Sequence, residues 1–383
     1  MSLASEAPKD SFRLSMLVYD TRYRSYTIQL AVLVLLLAFL GWMADNTIKN
    51  LAERGKDINF SFLWQRAGYD IDQQLIPYTN DSSHGRAAII GLLNTLLIAV
   101  IGCFFATIVG VLAGVLRLSK NWLVARLMTV YVEIFRNVPL VLWIILIFVV
   151  FTETYPQPKD FRVTDEMVAA GEAPKETMIF GAIAITNRGS NIPGPVFDRP
   201  LPTIEIATVP ISLSGVAFLV VVLGSVLVNR RILARAKAIQ EDTGDRPTTW
   251  WQSLLVALIL YTGAFIAEIV RGGIQAISKG QTEAAFALGL RPGRTMNLVI
   301  LPQALRVIIP PLISQFLNLT KNTSLGIAVS YLDLRGTLGG ITMNQTGREM
   351  ECMVLMMGIY LTISLLISSL MNIYNNSVKL KER

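Results

Sequence analysis

Long apolar runs alternate with short charged ones along the chain. Seven runs approach or reach the roughly 20 apolar residues needed to cross about 30 Å of hydrocarbon: residues 27–43, 88–116, 122–151, 209–228, 250–270, 298–319 and 351–374. Lipid offers the backbone no hydrogen-bond partner, so each run is predicted to be helical. The expected fold class is therefore all-α, a polytopic transmembrane helical bundle. No small-residue cleavage site follows the first run, and the polar stretch before it is long, so it reads as an anchor helix rather than a cleaved signal. The Pro-rich stretch 152–208 is expected to be an irregular loop.

Basic residues in short flanking loops set the orientation. Arg13, Arg22 and Arg24 precede the first run, Arg117, Lys120 and Arg126 follow the second, and Lys379, Lys381 and Arg383 close the chain. All are expected to be cytoplasmic, which places residues 44–87 and 152–208 outside. One conflict arises. Arg230, Arg231, Arg235 and Lys237 also look cytoplasmic, yet a helix that starts inside at Trp250 would put Arg271, Lys279, Arg291 and Arg294 outside. We give priority to this second basic loop.

Composition supports a membrane protein. Of 383 residues, 52% are hydrophobic and 16% charged, against about 25% charged in soluble domains. The net charge of +7 comes from short clusters beside apolar runs, not from the basic patch or stripe of a nucleic-acid binder. Cys103 and Cys352 both lie in apolar runs and His84 is the single histidine, so neither a disulfide framework nor a His/Cys metal site is expected. No phosphate-binding Gly-x-x-x-x-Gly-Lys-[Ser/Thr] loop occurs, and no catalytic residue is assigned.

The stretch between the fifth and sixth runs carries the most specific pattern: Gly280-Gln281-Thr282-Glu283-Ala284-Ala285, then Gly289, Arg291-Pro292 and Leu301-Pro302. Thr282 is the expected N-cap, Glu283 falls in the first turn, and Gly289 with Pro292 ends the helix. The prediction is a short helix held between two membrane helices, small on one face and charged at its ends.

Here the sequence resembles the EAA loop of ATP-binding-cassette importer permeases, with Glu283-Ala284-Ala285, Gly289, Val299 in place of Ile, and Leu301-Pro302. Tyr261-Thr262-Gly263-Ala264-Phe265-Ile266-Ala267-Glu268, Arg271-Gly272-Gly273, Lys321-Asn322-Thr323-Ser324-Leu325, Gly91-Leu92-Leu93-Asn94-Thr95-Leu96 and Phe135-Arg136-Asn137-Val138-Pro139-Leu140 resemble the polar-amino-acid permeases. The extra first run and the long insert look like the Q-type permease subunit of the general L-amino-acid transporter. That group carries a further apolar segment between the basic run and the Tyr261 helix, which this chain lacks.

The resemblance implies a type I importer core with an additional N-terminal helix and an inserted helix. Residues 1–87 would be N-terminus, anchor and external loop, 88–151 and 250–383 the two parts of the core, and 152–249 the insert. It further implies that Gln281, Glu283, Ala284, Ala285, Gly289, Arg291, Leu301 and Pro302 couple to a partner ATPase. The implied partners are a second permease, two ATPase subunits that bind ATP and Mg, and a soluble binding protein outside. The chain itself would bind no cofactor and would sit in a bacterial inner membrane.

Polar groups at membrane depth are costly, about 2.5–3.5 kcal/mol each, so they tend to face a cavity or another helix. Gln303, Arg306, Ser314 and Asn318 recur at near-helical spacing with Lys321 just beyond, and Pro310-Pro311 is expected to kink the helix and free carbonyls. Arg306, Ser314, Asn318, Lys321, Asn322, Thr323 and Ser324 are candidate path residues, with helix–helix hydrogen bonding as the alternative for each. Glu268 has two readings, an acceptor for a substrate ammonium or a partner for Arg271. Asn94 is a weaker path candidate than a packing one. Residues 122–136 read as an amphipathic elbow helix with Glu133 and Arg136 paired. The competing function is an ion-gradient-driven amino-acid carrier.

Overall fold

The computed structural model describes residues 19–53, 58–157, 184–186, 189–191, 203–206, 209–212 and 251–378. The chain divides into two units, Met1–Phe60 and Ser61–Arg383. The first holds α1, Thr21–Glu53, which is apolar on all sides through its middle turns, as a lipid-facing helix is. Among the described residues five helices are long and apolar enough to span, six if one bent pair counts as a span.

The second unit is built on α2, His84–Leu116, and α5, Trp251–Gln275. Between them come α3, Trp122–Asn137, and α4, Leu140–Thr154. Two short antiparallel hairpins follow, β1 (Ala184–Thr186) with β2 (Gly189–Asn191) and β3 (Thr203–Ile206) with β4 (Val209–Ser212). The stretch 152–208 is thus not wholly irregular. Val209–Ser212 is a strand rather than the start of a helix, because Thr203–Ile206 pairs with it; the remainder of the expected 209–228 helix lies outside the described residues.

After α5 come α6, Lys279–Ala287, α7, Pro292–Thr295, a π-helical turn Met296–Ile300 and α8, Leu301–Asn322. A 3-10 segment Thr323–Val329, the short α9 (Leu334–Gly336), a π-helical turn Thr337–Thr342 and the short α10 (Met343–Thr346) lead into α11, Glu349–Val378.

Small residues bring α2 and α5 into backbone contact. A Cβ on Gly110 would lie 2.5 Å from Ile266 Cβ, and one on Gly114 would lie 2.7 Å from the Ala267 carbonyl oxygen. Small residues at this spacing are how helices approach closely where the hydrophobic effect gives no drive for association. Gly102 meets Leu255, Gly110 meets Ile266 and Gly114 meets Val270, so the two helices run parallel. The loop after α5 therefore lies at the same end as Arg117, which agrees with the priority given to the second basic loop. Ile98, Ala106, Leu254, Leu258, Ile266, Ala304, Leu319 and Tyr331 form the core around this pair.

The pair α3 and α4 bends by 109° at Val138-Pro139, where proline removes a donor and disfavours helical backbone before it. Arg136 does not pair with Glu133, whose carboxylate instead accepts from Asn137 Nδ2 at 3.3 Å. Arg136 reaches across to Glu268 and over the Phe265 ring, 5.3 Å from its centroid. Pro310 and Pro311 both lie inside α8, which continues as one helix through them.

Candidate functional site

The short helix α6 forms as the pattern required, although it starts earlier. Ser278, not Thr282, occupies the N-cap, and α6 has no acidic residue in its first turn. Thr282 is the fourth helical residue because the chain is already helical from Lys279, so Glu283 projects from the second turn. The C-terminus follows the sequence closely. Gly289 takes φ +74°, Leu290 N–H donates to the Ala285 carbonyl at 3.1 Å and Gly289 N–H to the Phe286 carbonyl at 2.9 Å. This pair of bonds closes a helix when the residue after its end can be left-handed, and glycine adopts that backbone without a Cβ clash. Pro292 then opens α7 with Arg291 as its cap.

Ala285 is buried while Glu283, Ala284, Phe286, Ala287 and Leu288 are exposed. Leu288 is 82% and Phe286 48% exposed. An apolar pair displayed beside a carboxylate was not singled out from the sequence, where alanines and charge dominated the reading; the signal is the spacing of Phe286 and Leu288 from the buried Ala285. Gln303 Nε2 donates to Gln281 Oε1 at 3.3 Å, which ties α6 directly to α8. Arg291 and Leu301-Pro302 lie on the exposed side of the following turns. Pro302 has no N–H to offer and its ring crowds the preceding turn. The backbone widens just before it, with Leu301 N–H bonded to the Met296 carbonyl in a π-helical turn, a feature often found at functional positions.

Above α6, Glu268 joins three helices. Its Oε2 accepts from Arg117 Nη1 at 2.5 Å and lies 3.5 Å from Arg136 Nη1, and its Oε1 accepts from Arg271 Nη2 at 2.6 Å. The pairing with Arg271 is thus present, and two further guanidinium groups share the same carboxylate. Arg117 is the most enclosed, its side chain 7% exposed. Three cations around one carboxylate leave an excess of positive charge at the inner ends of α2, α3 and α5. A carboxylate held by this many donors is an anchor; to meet an ammonium it would have to release one of them.

Along α8, Arg306, Ser314, Asn318 and Lys321 are exposed, Gln303 and Asn322 are half-buried, and Thr320 is buried. The first four therefore remain on a solvent- or partner-facing side. Thr323 is fully buried and its hydroxyl donates to the Thr320 carbonyl at 2.9 Å. Ser324 offers its carbonyl to Arg335 Nη1 at 3.2 Å. Asn94 is separate from this row. It is fully buried, and its Nδ2 donates to the Gln73 and Leu332 carbonyls, both at 2.9 Å. Next to it, Thr95 Oγ1 accepts from Leu334 N–H at 3.1 Å, and Tyr331 Oη donates to the Asn94 carbonyl at 3.0 Å. Asn94 and Thr95 fasten the 331–337 segment to α2, a packing role.

Asp333 lies at the centre of that segment. It caps α9 by accepting from Gly336 N–H at 2.9 Å and accepts from Tyr360 Oη at 3.1 Å. Full burial pushes its carboxyl up from 3.8 to about 6, against the lowering effect of these hydrogen bonds. No group of three or more His, Cys, Asp or Glu placed to hold a metal occurs among the described residues.

The comparisons with known proteins bear on this arrangement of loop helix and bundle. The family described as binding-protein-dependent transport system inner membrane component matches residues 106–380, a stretch that contains α6, the Glu268 cluster and the α8 row. The chain belongs to this family. Among its relatives, the glutamate/glutamine/aspartate/asparagine transport system permease protein BztB of Rhodobacter capsulatus is 62% identical over the whole of both chains. That alignment runs over 426 positions, more than the 383 residues here, so BztB carries residues this chain lacks. The general L-amino acid transport system permease protein AapQ of Rhizobium johnstonii is 38% identical over 97% of this chain and 96% of its own. The putative amino-acid ABC transporter permease protein YhdX of Escherichia coli is 36% identical over 94% and 95%.

Proposed function

We propose that the chain is the permease subunit of an ATP-binding-cassette importer for L-amino acids, and that it takes its driving force through α6. The observation that carries the reading is identity of 62% over the full length of a permease for acidic amino acids and their amides. The α6 geometry supports it. A short helix fixed at its buried Ala285, tied to α8 by Gln281 and Gln303, and displaying Glu283, Phe286 and Leu288 suits the groove of a cytosolic protein.

In this reading a second permease completes the path, two ATPase subunits bind ATP and Mg and grip α6 from the cytosol, and a soluble protein delivers the amino acid from outside a bacterial inner membrane. Closure of the ATPases pushes α6, and the push passes to α8 through the Gln281–Gln303 bond and the π-helical turn before Pro302. Arg306, Ser314, Asn318, Lys321 and Asn322 line the path, with Lys321 available to a substrate carboxylate. Thr323 and Ser324 shape its far end through the backbone. Glu268 holds the inner ends of α2, α3 and α5 together as they move.

The test is reconstitution. The chain is co-purified with its partners, and ATP hydrolysis and amino-acid uptake are measured together in vesicles. Uptake that requires ATP and the binding protein supports the reading; uptake driven by an ion gradient in the absence of ATP overturns it.

A further inference from the structure

The end of the bundle at which α2 begins carries a cavity that the proposed path does not use. It is a half-open recess of about 430 Å³ lined by Ser61, Gln65, Arg66, Gln345, Thr346 and Arg348, with Phe62 and His84 completing the wall. The polar lining is unsuited to a lipid chain or an apolar partner helix. At about 30 Å³ per water molecule, there is room for a free amino acid with water beside it. The tip of one carboxylate side chain from a docked protein would fill only a fraction.

The charges around the cavity come in opposite pairs. Arg66 lies 2.8 Å from Asp81, both well exposed, and Arg348 lies 3.2 Å from Glu351, whose carboxylate is nearly enclosed. Exposed ion pairs such as Arg66–Asp81 are worth about 0–1 kcal/mol, so an incoming carboxylate can replace Asp81 at little expense. Two guanidinium groups flanking one space form a strong receiver for a carboxylate, through forked charge-assisted bonds. The amide oxygens of Gln65 and Gln345, on the same lining, can accept from an ammonium. Cations and acceptors on one wall match a zwitterion better than they match a simple anion.

We propose that this cavity is a holding site for a free zwitterionic amino acid, with Arg66 and Arg348 taking its carboxylate, at the end of the permease opposite α6. The inference rests on the importer reading above and adds to it a second binding position, distinct from the α8 row.

The test uses the assembled transporter in lipid nanodiscs without the binding protein, titrated with L-glutamine and, separately, with glutarate, which has carboxylates and no ammonium. L-Glutamine is expected to bind at least tenfold more tightly than glutarate. The double substitution Arg66→Gln with Arg348→Gln, and separately Gln345→Trp, which fills the cavity from an exposed position, are each expected to weaken L-glutamine at least tenfold. The thermal unfolding midpoint of each variant is measured beside the titration and is expected to stay at the wild-type value, which separates lost binding from a folding defect. Titrations of both variants that superimpose on the wild type overturn the proposal. So does unchanged L-glutamine binding with weakened docking of the binding protein, which would assign the cavity to a protein-borne carboxylate. Wild-type complex that transports with ATP yet binds no free L-glutamine removes the holding site alone; complex that does not transport with ATP removes the importer reading itself.

Discussion

Two largely buried acids on this chain behave oppositely because their neighbours differ. Glu268 is surrounded by Arg117, Arg136 and Arg271, and breaking a buried ion pair by removing one partner is costly because the other charge stays behind. Glu268→Gln is expected to destabilise the chain by about 3 kcal/mol, at the low end of that class because Arg136 and Arg271 are about one-third exposed. Thermal unfolding in detergent measures it, and adding Arg117→Met to the variant should recover much of the loss. At Asp333 the charge of Arg335 and the hydrogen bonds lower the carboxyl less than burial raises it, and it stands at about 6. Its protonated form is favoured in the fold, so the native state binds the extra proton between the ordinary carboxylate value and about 6. Stability from this group is complete at the acid end and falls as pH rises through 6. The expected loss is about 3 kcal/mol at neutral pH. Asp333→Asn retains the cap oxygen for Gly336, and the slope of unfolding free energy between pH 4 and 7 should flatten in that variant. An unchanged slope would assign the pH dependence elsewhere. The sequence shows the Glu268–Arg271 spacing, whereas Arg117 and Arg136 come from helices more than 100 residues away in the chain.

At the level of single elements, α6 and the α2–α5 pair carry the sharpest expectations. Gly289 holds a left-handed backbone that costs a β-branched residue roughly 1–2 kcal/mol. Gly289→Val should therefore fray the end of α6, lower ATP-driven uptake, and leave the membrane helices folded, as judged by an unchanged circular dichroism spectrum. Glu283→Lys reverses the charge that α6 displays without touching its buried side, and is expected to let ATP hydrolysis continue while uptake falls. Retained coupling in that variant would sink the assignment of α6. Gly110→Leu places a side chain where Ile266 and the Gly263 carbonyl already stand. Overpacking of this kind costs about 1–3 kcal/mol or more, and loss of assembled complex on gel filtration is the expected outcome. The ending of α6 was legible from Gly289 and Pro292, since each has one strong local reason to be there. Its beginning was not, because Lys279, Gly280 and Gln281 have no distinctive helix signal and are helical by continuity with the turn from Thr282 onward.

Across the whole chain, the apolar runs and the basic loops supply the bundle and the side of the membrane, and one relation between helices settles a conflict they leave. The sequence alone cannot say whether α5 begins inside or outside, because the two basic stretches that flank it disagree. Its parallel packing on α2, read from Gly102, Gly110 and Gly114, puts the α6 loop at the end that holds Arg117. Labelling of single cysteines at Gln281 and at Gln345 in sealed vesicles should place them on opposite faces, with Gln281 in the cytosol. Labelling of both from the same side would overturn the topology.

Local chemistry is enough to determine most of the apolar helices, the amphipathic helix before Pro139 and the helix in the loop with its glycine stop, because each depends on residues within a few turns of one another. Tertiary structure decided which polar groups remain available. Along the sequence Glu268 is open to a ligand or to Arg271, and Asn94 is a weaker path candidate than a packing one. In the fold Asn94 holds the 331–337 segment and Glu268 holds three arginines, while the polar row of α8 stays exposed. A side chain's partners are set by helices that meet in space, and nothing in the spacing of residues along one helix says which others will arrive beside it.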